Sequence, residues 1–134
     1  MDKPLIEILV VTRSVVLQQG LGALLESLSG ITSVKAIQEL SNTYPWIESH
    51  QPKIILLDVA LTDQESRMVL EKLRTLSPDT KRVLLVDSVD DVRWVPQYAE
   101  GILIKGESPS TVATIVTNLL FSKGEEDEYI DSNR

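Results

Sequence analysis

The 134-residue sequence predicts a doubly wound α/β domain, a parallel sheet with helices on both faces, on three observations. Runs rich in Val, Ile and Leu alternate with helical apolar stripes, and five such pairs follow one another along the chain. Two of the runs, Ile54 to Asp58 and Arg82 to Asp87, are nearly continuous in apolar character, as a strand covered on both faces requires. The breaks between elements are short and polar, and 43% hydrophobic residues suffice for one continuous core, so no second domain is needed.

The strands are expected at Leu5 to Val11, Thr32 to Ile37, Ile54 to Asp58, Arg82 to Asp87 and Gly101 to Lys105. Leu17, Leu21, Leu24, Leu25 and Leu28 form a single apolar stripe on a first helix that Gly30 should stop. A short second helix is expected from about Thr43 to His50, with Pro45 near its first turn. Val69, Leu73 and Leu76 mark a third helix that ends before Ser77-Pro78. The fourth, capped by Asp90 or Asp91, meets Pro96 where an interior amide should donate, and is expected to be short, kinked or displaced. Ser108-Pro109 then supplies a cap and a first-turn proline for a last helix lined by Val112, Ile115, Val116, Leu119 and Leu120. Beyond Leu120 the pattern stops. Residues 122–134 hold Glu125 to Glu128 and Asp131 with almost no core formers, and read as an acidic disordered tail or linker after a domain spanning 1–121.

Composition narrows the chemistry. No run approaches the roughly 20 apolar residues that span a bilayer, and the N-terminus leads into a strand without a signal-peptide pattern, so the expected location is cytoplasmic. The chain has no cysteine, hence no disulfide or thiolate chemistry, and its one histidine, His50, cannot build a multi-histidine metal site. A net charge of −7 argues against a phosphate-tracking surface, so direct nucleic-acid binding by this chain is not expected.

Four segments are more specific: Ile6 to Val11, Gln19 to Leu25, Pro52 to Asp58, and Gly101 to Lys105 followed by Ser108-Pro109. In that order and spacing the chain, over about residues 5 to 121, resembles the receiver domains of two-component response regulators, nearest to those that precede helix-turn-helix DNA-binding domains. The resemblance implies a flavodoxin-like (βα)5 fold with strand order 2-1-3-4-5 and a site beyond the carboxyl ends of the first and third strands, where the winding reverses. Thr12, Arg13, Asp58, Asp87 and Lys105 would share that rim.

The resemblance also shows where this chain departs from the family. Asp58 matches the phosphoacceptor and Lys105 the lysine that pairs with it. The acidic pair that holds magnesium after the first strand reads Thr12 and Arg13 here, and a hard divalent cation needs clustered carboxylates, so neither metal nor cofactor is expected. The phosphoryl-contacting hydroxyl after the fourth strand is replaced by Asp87, with Ser88 next to it as a partial substitute. Leu61-Thr62 and Glu65-Ser66 stand in the loop where the family carries a methionine-proline pair and a later glycine. Counting Asp58 and Asp87 against Arg13 and Lys105 gives two against two, from which Arg13 is expected to take over the metal's electrostatic role.

The implied function is that of an atypical receiver: a phosphorylation-independent signalling module and not an enzyme. It would bind a protein partner, a signalling or transcription component, or pair with itself as a homodimer. Trp94 and Tyr98 offer contact area for this, although aromatics such as these and Trp46 equally serve packing. A weakly phosphorylatable receiver, forming the front part of a transcriptional regulator, is the alternative. An enzyme on the same fold finds no support: the chain has no glycine-rich phosphate loop, and Val59 to Thr62 lack the histidine of a cobalamin site.

Overall fold

The computed structural model describes residues 6–58, 63–88 and 99–121. Among the described residues, five strands, β1 (Glu7–Val11), β2 (Ser33–Ile37), β3 (Ile54–Leu57), β4 (Lys81–Val86) and β5 (Gly101–Ile104), and four helices, α1 (Val15–Glu26), α2 (Leu40–His50), α3 (Asp63–Leu76) and α4 (Pro109–Phe121), follow in the order β1-α1-β2-α2-β3-α3-β4-β5-α4. The sheet is parallel throughout, in the order β2-β1-β3-β4-β5. Position 89–98, where the disturbed fourth helix with Trp94 and Tyr98 is expected, and the acidic segment 122–134 lie outside the described residues.

Strand periodicity divides the core in two. Ile8, Val10, Ile54, Leu56, Val83, Leu85 and Leu103 point to one face, where Leu21 and Leu25 of α1 and Val112 and Val116 of α4 cover them. Leu9, Val11, Ile55, Leu57, Leu84 and Val86 point to the other, under Ile47 of α2 and Val69, Leu70 and Leu73 of α3. All four residues of β3 are fully buried, which explains why its sequence shows no polar alternation.

Two helix boundaries differ from the sequence expectation, for local reasons. α1 stops at Glu26, four residues short of Gly30: the Ser27 hydroxyl donates to the Leu24 carbonyl at 2.6 Å and the Leu28 amide turns to Leu25 O, three residues back, so the four-residue ladder ends there. α2 begins at Leu40, a turn before Pro45, so the proline sits inside the helix. The buried Thr43 hydroxyl donates to the Glu39 carbonyl at 2.9 Å, and Gln51, in the left-handed region at φ 51°, closes the far end.

Candidate functional site

Three backbone hydrogen bonds extend the ladder one step past the strand ends and fix the rim. The Thr12 amide donates to Ile37 O, the Asp58 amide to Val11 O and the Lys105 amide to Val86 O. The sheet order therefore delivers Thr12, Asp58 and Lys105 to one edge, where β2 and β3 flank β1 and the winding reverses.

Both oxygens of the Asp58 carboxylate are engaged there. Thr12 Oγ1 donates to Oδ2 at 2.6 Å, and Lys105 Nζ lies 2.6 Å from Oδ1. The Asp58 side chain is 11% exposed, so this pairing is largely screened from water. The buried Thr12 hydroxyl also accepts from the Ser14 amide at 3.0 Å, which uses its donor and an acceptor position together. Ser14 in turn caps α1, its Oγ accepting from the Leu17 amide at 3.1 Å. The hydrogen bond to Asp58 raises the Lys105 ammonium above its ordinary range; partial burial opposes this, and the Asp58 and Asp87 charges reinforce it.

Asp87 stands at the margin of this cluster, 3.6 Å from Lys105 Nζ and 82% exposed, and half-buried Ser88 follows it. Arg13 is not part of the cluster. Its guanidinium pairs with Glu39 at 2.8 Å, and the side chain is 78% exposed. Just past the strand end, neighbouring side chains diverge: Thr12 turns inward, and Arg13 reaches over the edge towards the residue that precedes α2. The expected charge balance of two against two is thus corrected. The buried carboxylate is held by one lysine and one neutral hydroxyl, and Arg13 does not replace a metal.

Magnesium does not fit this arrangement. Among the described residues no group of three His, Cys, Asp or Glu side chains could hold a metal ion, and both Asp58 oxygens already have donors. Sequence reasoning overlooked Ser14 and Glu39. The serine three residues before Leu17 is a recognisable cap, but nothing local in the sequence marks Glu39 as the partner of Arg13.

No protein-family model matches this sequence, and no curated protein does. Solved structures do. A response regulator receiver domain from Methanospirillum hungatei superposes with a TM-score of 0.76 at 22% identity, covering 92% of this chain and 99% of that one. The chain has the receiver fold. A response regulator from Thermotoga maritima is similar at a TM-score of 0.77 and 19% identity, over 87% of this chain and 98% of that one. A LuxR family DNA-binding response regulator from Silicibacter pomeroyi is similar at 0.74 and 24%, over 87% and 92%. Within the receiver fold, the Thr12–Asp58–Lys105 cluster occupies the rim above the sheet's reversal point, at the carboxyl ends of β1, β3 and β5. No helix among the described residues is long and apolar enough to cross a membrane.

Proposed function

We propose that this chain is an atypical receiver that signals without phosphorylation, by binding a protein partner or a second copy of itself. The observation that carries the reading is the double engagement of Asp58. Phosphoryl transfer to a carboxylate requires a free oxygen as nucleophile and cations that neutralise the transferring oxygens. Here one oxygen is held by the Thr12 hydroxyl, the other by Lys105, and the carboxylates that would bring magnesium are absent. A side chain so enclosed fixes the rim in one arrangement, so regulation falls to the surfaces. Trp94 and Tyr98 are the residues of the sequence best suited to anchor a contact. The net charge of −7 favours a protein partner over nucleic acid.

A second reading has its own support. Asp58 and Lys105 stand together as an acceptor and its lysine would, and one of the similar structures is a DNA-binding response regulator, so a weakly phosphorylatable receiver within a transcriptional regulator remains the competing function. Incubation with magnesium and acetyl phosphate, followed by intact-mass measurement and amide NMR, separates the two. The proposal expects an unchanged mass, no saturable magnesium-dependent shift at Asp58, and partner binding that survives Asp58→Asn. Stoichiometric phosphate on Asp58 would overturn it.

A further inference from the structure

The opposite end of the sheet carries a second feature, which the rim does not use. A groove of about 480 Å³ opens where the strands begin, between the last turn of α4 and the segments that lead into β3 and β4. Leu119 and Leu120 form its apolar side, and Lys53, Pro78, Thr80 and Lys81 the other. Its walls are firm. Thr80 Oγ1 donates to Pro52 O at 2.6 Å, the Lys81 amide to Lys53 O at 2.9 Å, and Leu119 packs so closely over Gly101 that a Cβ there would meet it at 3.1 Å.

Charge selects the occupant. Neither Lys53 nor Lys81 forms an ion pair among the described residues. Of the two acids at the groove, Glu100 is already neutralised by Arg82, whose guanidinium lies 2.8 Å from it, leaving only Asp79 to oppose the lysines. A locally cationic groove with an apolar wall, on a chain of net charge −7, fits an acidic segment that carries an apolar residue or two. The chain supplies one. Glu125-Glu126-Asp127-Glu128-Tyr129-Ile130-Asp131 begins four residues after Phe121, and Leu119 and Leu120 are themselves groove wall. At roughly 3.3–3.6 Å per extended residue the linker reaches back over the groove without strain. A tether this short holds its segment at an effective concentration on the order of millimolar, so weak contacts are enough for docking.

We propose that the segment Glu125 to Asp131 docks in this groove, its carboxylates against Lys53 and Lys81 and its Tyr129-Ile130 pair against Leu119 and Leu120. The groove lies at the end of the sheet away from Asp58, so this inference stands or falls independently of the function proposed above.

The absence of cysteine makes the test clean, because Ser132→Cys provides a single site for a nitroxide label on the full chain. The expected result is selective loss of amide signal intensity at Lys53, Thr80, Lys81 and Leu119, with signals at the Asp58 rim retained. Adding Lys53→Glu and Lys81→Glu should restore the lost intensity, as should molar salt, where the screening length falls to about 3 Å. Broadening spread evenly over the surface, or selective broadening that survives both charge reversals, would overturn the proposal. So would selective broadening of an isotope-enriched, unlabelled copy mixed with a labelled, unenriched one, since the occupant would then be a second molecule.

Discussion

At the scale of single residues, the rim turns on one hydroxyl. Thr12 Oγ1 bridges the Ser14 amide and the Asp58 carboxylate from a position that is 1% exposed. Thr12→Val keeps the shape but removes both hydrogen bonds, leaving the Ser14 amide without its acceptor and a largely buried carboxylate oxygen without its donor. The expected loss is about 1–3 kcal/mol of unfolding free energy, measured by urea denaturation. Arg13→Ala should change stability by no more than ~1 kcal/mol, because its pair with Glu39 is exposed at both ends. The contrast between the two variants distinguishes the observed site from one in which arginine replaces a metal. Thr12, Asp58 and Lys105 were legible in the sequence because each lies at the end of an apolar strand and the family resemblance implied the strand order that brings those ends together. The direction of the Arg13 side chain was not, because it depends on Glu39, which is 26 residues away and positioned by β2.

At the scale of elements, boundaries were legible wherever the local chemistry acts alone. The apolar stripes placed α1, α3 and α4, and Ser108 caps the last of these as its spacing suggested, accepting from the Thr111 amide at 3.3 Å. α2 resisted the same reasoning: Pro45 argued for a start near it, yet Ile47 fully buried on the sheet and Thr43 bonded to Glu39 O favour an additional turn before it. Tertiary burial outweighed the amide that a proline cannot supply. Arg82 is another element-scale feature that periodicity could not reveal, since it counts as a strand start yet its side chain is 5% exposed. Its Nη1 donates to Leu70 O of α3 at 2.8 Å and its Nη2 to Glu100 at 2.8 Å, joining α3, β4 and the approach to β5. Replacing it by leucine should cost on the order of 2–3 kcal/mol, because Leu70 O loses its side-chain donor and Glu100 loses the guanidinium, keeping only the residue-82 backbone amide at 2.6 Å. Arg82→Lys should recover only part of that, since one ammonium cannot supply the same fork. Thermal unfolding of the two variants checks the order.

At the scale of the whole molecule, the strand order puts two ionic centres at opposite ends of one sheet, and the two titrate at opposite ends of the pH range. Burial alone would raise the Glu100 carboxyl, but its hydrogen bonds and charge interaction with Arg82 together hold it below the ordinary value of 4.5. A carboxyl depressed on folding contributes stability that is present above its unfolded value and is lost as pH falls through its folded one. Lys105 behaves in the reverse sense. Raised on folding from an ordinary 10.5, it contributes stability that is fully present below that value and is lost as pH rises through the folded one. Stability should therefore hold a plateau across neutral pH and fall on both sides, with the base of the sheet responsible for its share of the acid limb and the rim for its share of the alkaline one. Urea midpoints across the pH range for the unaltered chain, Glu100→Gln and Lys105→Met test this. The deficit of Glu100→Gln should shrink on acidification, and that of Lys105→Met on the alkaline side. If the Lys105→Met deficit instead stayed undiminished at the alkaline end, after the lysine has lost its charge, the ion pair with Asp58 would not be what holds the rim.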